Sequence, residues 1–290
     1  MKGKINVGYL VSYDYELLKN SLPTVYKEAD NVFLAIDKNR RTWNGEYFTI
    51  EESFFEWIKV FDVDHKVVIY EDDFYVPTFT TMQCEIRERK MLSEKMGIGN
   101  WLIQIDCDEY FVDFGNFVKD LRKHNSYIEN PHGKPIQIAA FWLILYKYTP
   151  NGILYVNKPT KAIFATNNPK YVNGRRVKGQ VIYTNNLVLH ESLSRTEEEL
   201  RFKFENWGHN KETNKDFLNK WITVNESNYK EYSNFYYIEP ERWKKLSFFP
   251  TKNIAEIKNI VQAENELQLS NSFLWKKNFG QWFKFLFKKV

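Results

Sequence analysis

Only two cysteines, Cys84 and Cys107, occur in 290 residues, too few for a disulfide framework and in keeping with a reducing compartment. Uncharged apolar runs are short as well, and none approaches the roughly 20 residues that a membrane-crossing helix needs. The opening stretch, MKGKINVGYLVSYDYE, has an apolar patch that is interrupted too soon for a secretory leader. These absences set the expectation of a cytoplasmic protein. Two phosphate-binding glycine patterns are also missing. No G-x-G-x-x-G follows the first apolar run, and no G-x-x-x-x-G-K-[ST] occurs anywhere, so neither a dinucleotide fold nor a P-loop NTPase is supported. The formal charge is a mild +4. With no zinc-finger spacing, RNP-type stretch or long basic run in the body of the chain, nothing calls for a nucleic-acid partner.

What the chain does have is aromatic mass, 17% of its residues. Such side chains suit both a core and a sugar-stacking cleft. Its first half alternates strand and helix patterns. Short apolar runs at 5–12, 31–37 and 66–73 read as buried strands, and the stretches 14–29, 51–61 and 80–95 read as helices, the first limited by Pro23. Such alternation predicts a mostly parallel sheet with right-handed crossovers. After residue 130 the pattern changes to IQIAAFWLILYKY, ILYVN, KAIFATN and QVIYTNNLVLH, separated by Asn, Gly and Pro turn signals. Helical patterns return from Thr196. The expected fold is therefore mixed α/β: a mostly parallel sheet flanked by helices, an antiparallel-rich second half and a helical C-terminal extension. A catalytic unit is expected over residues 1–230, and the extension, with its basic aromatic tail, over 231–290.

The most informative stretch is residues 101–111, WLIQIDCDEYF. An apolar strand there ends on Asp106 and Asp108, alternate positions that would point the same way into a cleft at the carboxyl end of the sheet. Acids desolvated side by side need a cation, and carboxylates suit a hard divalent ion such as Mn²⁺ or Mg²⁺. Other apolar runs also end in polar groups, Ser12-Tyr13-Asp14, Asp37 and Glu71-Asp72-Asp73, which a parallel sheet would align along one rim. Asp113 is a candidate cap for the following GNFVKDL.

The long acidic element, Trp101-Leu102-Ile103-Gln104-Ile105-Asp106-Cys107-Asp108-Glu109-Tyr110, resembles the motif of GT-A fold nucleotide-sugar glycosyltransferases, family-2-like members in particular. The downstream order is similar too: Lys161-Ala162-Ile163, then Leu187-Val188-Leu189-His190, then Arg195-Thr196-Glu197-Glu198-Glu199-Leu200 and Lys203. The likeness spans about residues 5–210. It implies a GT-A-like fold and sugar transfer from a nucleoside-diphosphate donor, UDP-linked by expectation, to a glycan or lipid-linked acceptor, as in surface polysaccharide synthesis. Asp108 would be the direct metal ligand, Asp106 would support the metal or contact the ribose, and His190 would be a third ligand. Ser12 and Asp37 would meet the nucleoside. Among the cations Arg87, Arg89, Lys90 and Lys161, the pair Arg89 and Lys161 is expected to face the leaving diphosphate. Glu191 is the candidate general base, although strand alternation would turn it away from His190. Glu109 is expected to be structural, and Trp142 and Trp207 are candidates to stack on an acceptor sugar. The same acids would also serve a nucleotidyltransferase or metal phosphohydrolase, and the fold could persist in a non-catalytic carbohydrate- or membrane-binding protein.

Residues 273–290, FLWKKNFGQWFKFLFKKV, hold five lysines and no acid. At helical spacing Trp275, Phe279, Trp282, Phe283 and Leu286 share one side, with Lys277, Lys284 and Lys288 opposite. This composition predicts an interfacial helix attracted to anionic lipid, on the inner face of the membrane.

Overall fold

The computed structural model describes residues 3–206, 214, 216–264 and 267–283, with side chains through Gln281. Its centre is a ten-stranded sheet. Strands β1 (Ile5–Val11), β2 (Asn31–Asp37), β3 (Val67–Asp72) and β4 (Trp101–Asp106) run parallel in the order β3-β2-β1-β4. All seven residues of β1 are buried, as a near-continuous apolar run covered on both faces requires. Helices α1 (Leu18–Val25), α2 (Glu52–Phe61) and α4 (Phe114–Arg122) cover one face, and α3 (Thr81–Met96) covers the other. Gly8 lets α3 come close, because a Cβ there would lie 2.7 Å from the Met96 sulfur. Local chemistry sets the helix starts: Thr80 and Gln83 form a capping box, and the Asp113 carboxylate accepts from the Asn116 amide at 2.8 Å.

The second half extends the same sheet. Strand β5 (Glu109–Phe111) follows the acidic turn, and β6 (Ile136–Thr149) runs antiparallel to both β7 (Gly152–Val156) and β8 (Thr160–Thr166). β8 in turn joins β4 antiparallel. A small hairpin, β9 (Tyr171–Asn173) and β10 (Arg176–Val177), precedes β11 (Gln180–His190). β11 lies parallel to β6 and antiparallel to β5, and that second ladder sets His190 opposite Glu109. The acidic motif and a strand end 81 residues later are thereby held side by side.

Helices α5 (Glu197–Asn206) and α6 (Phe217–Thr223) lie over β6 and β7 through Leu200, Phe217 and Trp221. Beyond residue 230 the chain is not purely helical. Strand β12 (Leu246–Phe249) pairs with β7 at the sheet edge, and α7 (Ile254–Ala263) buries Ile257 and Val261 against β6 and β11. The described residues from β12 onward thus share sheet and core with strands that precede residue 230. The last helix, α8 (Asn271–Phe283), lies against β11. Among the described residues, no helix is long and apolar enough to cross a membrane.

Candidate functional site

The carboxyl ends of β1 and β4 open into a cavity of about 990 Å³, where an open α/β sheet places its ligand crevice. Asp14, Asp106 and Asp108 line it, as do Glu85 and Arg89 from α3, and Trp142 and His190 from the added strands. Among the described residues, seven lysines and arginines line the cavity against four aspartates and glutamates. The wall is therefore cationic despite its acidic motif.

The protein supplies its own counter-charges for that motif. The second oxygen of Asp108 accepts from Lys203 Nζ at 2.6 Å and Arg195 Nη2 at 2.8 Å, and its first lies 3.4 Å from His190 Nε2. Burial alone would raise this carboxyl, but Lys203, His190 and Arg195 outweigh it and hold Asp108 well below the usual carboxylate range. Burial pushes Asp106 the same way. Arg89, 3.0 Å from its first oxygen, and Arg175, 3.9 Å from its second, pull it below the ordinary value. Asp14 differs: burial raises it, and Arg195 at 3.2 Å offsets this only in part.

Glu109 faces the protein interior and is fully buried. Its carboxylate takes a two-pronged contact from Arg175, at 2.6 and 2.5 Å, and further bonds from the Asp106 amide and Trp142 Nε1. The Arg175 guanidinium lies over the rings of Phe164 and Trp142. A planar, delocalised cation suits such ring contacts better than an ammonium. Arg175 reaches it from the β9–β10 turn, where Gly174 takes a φ of +47° and a Cβ would stand 3.2 Å from Glu85.

The sequence-derived residues separate into two groups. Ser12, Arg89, Asp106, Asp108, Lys161 and His190 all line the cavity. Asp37 and Glu191 do not. The oxygens of Asp37 accept from the amides of Asn39, Arg41, Phe74 and Tyr75, so its carboxylate organises two loops instead of facing a nucleoside. Glu191 follows the end of β11 and is turned into the core, where Tyr110 and Tyr148 donate to it and burial raises its pKa. Its amide donates to the Asp108 carbonyl at 2.8 Å. Arg87 donates to the Asp73 carbonyl, and Lys90 is exposed beside Glu94. Trp142 is half-buried, lines the cavity and lies 4.6 Å from the His190 ring. Trp207 lies outside the described residues.

Arg89, Arg175, Arg195 and Lys203 already compensate the acids, so desolvation of the motif does not by itself call for a metal. Among the described residues no three His, Cys, Asp or Glu side chains form a group that could hold a metal ion. Among the described residues, the basic side chain nearest the second oxygen of Asp106 is Arg175 at 3.9 Å, and that nearest the first oxygen of Asp108 is His190 at 3.4 Å. Such a pair fits an ion shared with a ligand's phosphates, the usual manner of Mg²⁺, and not a cage built by protein alone.

Several lining residues carried no signal in the sequence. Arg175 is a loop arginine whose partner is 66 positions away. Tyr236, Tyr237 and Arg242 reach the cavity from the segment before β12. Arg195 and Lys203 were visible through their order after His190, but not their convergence on Asp108. No protein-family model matches the chain, and no curated protein matches it.

Proposed function

We propose that this chain is a GT-A-like glycosyltransferase that moves a sugar from a nucleoside diphosphate, UDP as first candidate, to a hydroxyl of a glycan or lipid-linked acceptor. The observation that carries the reading is the shared floor. Asp106 and Asp108, both held ionised, open into one cavity whose wall has a surplus of cations. The acids suit ribose hydroxyls, and the cations suit a diphosphate, whose negative charge grows as it departs. Lys161, Arg176 and Lys178 stand exposed along the cavity wall and can meet that charge.

In the transfer, the bond from the sugar's anomeric carbon to the diphosphate oxygen breaks, and the diphosphate leaves with the electron pair. A bond from the same carbon to the acceptor oxygen forms, and the acceptor's proton passes to a base. Glu191 is given no part in this, since its carboxylate is outside the cavity wall. Asp14, which lines the cavity and whose pKa burial raises, is the carboxylate we assign to the role. A divalent ion, Mn²⁺ or Mg²⁺, belongs to the proposal as a charge-neutralising group that Asp106 and Asp108 would hold together with the donor's phosphates. Incubation with a panel of nucleotide sugars, reading free nucleotide and free sugar, tests the reading. Release of both supports transfer chemistry. Release of inorganic phosphate or nucleoside monophosphate would favour a phosphohydrolase instead.

A further inference from the structure

Helix α8 is turned the wrong way for a helix that merely covers a core. Such a helix normally buries an apolar stripe about 100° wide. Here the only partly buried side chains described are Leu274, Asn278 and Gln281, spaced as one stripe, and two of the three are amides. Asn278 binds both backbone groups of Tyr183 in β11, at 2.8 and 2.9 Å. The large rings face out. Trp275 is 60% and Phe279 40% exposed, and the two stack at 4.9 Å. Phe273 is 38% exposed beside Lys277, and Lys276 is exposed as well. Phe273 also meets the buried ring of Phe141 at 5.9 Å and Leu274 packs on the core, so the inner edge of α8 is mixed, while Trp275 and Phe279, which would gain by leaving water, are on its outer face.

We propose that α8 is an interfacial helix that seats the mouth of the cavity on an anionic lipid surface. Rings flanked by lysines are the composition that settles at the headgroup boundary of such a surface. The charge selects the occupant. From residue 271 to 290 the chain has lysines and no acid, so a second copy docked on the same face would set lysine against lysine. The placement connects this face to the site, because Gln281, on the inner stripe of α8, lines the cavity with Val181 and Tyr183 of β11. Lys178 and Arg176 stand on the same wall. A lipid-borne acceptor would therefore enter from the membrane side, an extension that rests on the transferase reading, whereas the docking itself does not.

Sedimentation with vesicles tests the docking without any turnover. The full chain is expected to pellet with phosphatidylcholine vesicles containing about 30% phosphatidylglycerol, about tenfold more than with phosphatidylcholine alone. The double variant Trp275→Ala/Phe279→Ala should lose about tenfold of that partitioning while melting at the wild-type temperature. A second variant, Lys276→Glu/Lys277→Glu, should lose it also, and added salt should weaken the wild type. Failure of the wild type to pellet with anionic vesicles, or equal pelleting of the Trp275→Ala/Phe279→Ala variant, overturns the proposal. A concentration-dependent dimer that the same variant abolishes would give the face to a second copy and overturn it as well. Nucleotide binding measured in solution stands or falls separately from all of these outcomes.

Discussion

The ammonium of Lys203 lies 2.6 Å from Asp108, on the same carboxylate oxygen that Arg195 approaches to 2.8 Å. Helix α5 is thereby tied to the acidic turn after β4, and Asp108 keeps its charge although it is buried. Lys203→Met should lower the unfolding free energy at pH 7 by about 2 kcal/mol, the usual scale for a hydrogen bond to a charged group. Asp108 is depressed in the folded protein, so its contribution is present above the unfolded carboxylate pKa and fades as pH falls through the lower folded one. The gap between wild type and variant in urea unfolding should therefore narrow toward strongly acid pH. A gap that widens in acid would refute this account of the pair.

Removing Arg175 leaves Glu109, which is fully buried, without its cation. Arg175→Ala should cost about 3–5 kcal/mol in denaturant unfolding, the range for breaking one side of a buried pair. Arg175→Lys should recover only part of it, because an ammonium cannot repeat the two-pronged contact or the stacking on Phe164. Full recovery by lysine would show that charge alone holds the hairpin down.

Glu88 has the opposite sign of pH dependence. Burial lifts its pKa from 4.5 to about 8, and its carboxyl accepts from the indole of Trp43, a cavity-lining residue, at 2.6 Å. Between those two values the folded protein keeps a proton that the unfolded chain has released, so stability falls as pH rises across the window. Glu88→Gln should be more stable than wild type at pH 8 by on the order of 4 kcal/mol and equal to it below pH 4.5. Thermal melts across that range measure it, and parallel curves would exclude a neutral Glu88.

Glu191 is structural in this account. Glu191→Gln should leave nucleotide affinity within about twofold and leave the pH profile of turnover unmoved, while lowering the melting temperature through the bonds from Tyr110 and Tyr148. Loss of the acidic limb of turnover, where a base gains its proton, with an unchanged melt would restore it as the base.

The parts legible in the sequence are those where one local rule dominates. β2 spans residues 31–37 as its apolar run implies, and Asp106 and Asp108 share the cavity as their alternation on leaving β4 implies. Asp113 caps α4 as its position suggests. The readings that did not carry over are those a tertiary partner decides. Asp37 ends a strand at the expected rim, but four backbone amides claim its oxygens. Arg175 has no local pattern, since its value comes from Glu109, Trp142 and Phe164, which the fold brings to it. Counter-charges come to the motif from afar, and nothing local to it reveals that Arg195 and Lys203 return to Asp108. The aromatic side chains of the tail were legible as far as Trp275 and Phe279, which face outward; the side chains of Trp282 and Phe283 and residues 284–290 lie outside the described residues.

The central claim is that Asp106 and Asp108 form the floor of a nucleotide-diphosphate site. Calorimetry with UDP, with and without Mn²⁺, on wild type and on Asp106→Asn and Asp108→Asn tests it most directly. The account predicts UDP binding that Mn²⁺ strengthens and that either substitution weakens by about tenfold or more. No UDP binding by the wild type, or the same binding by all three proteins, would contradict it.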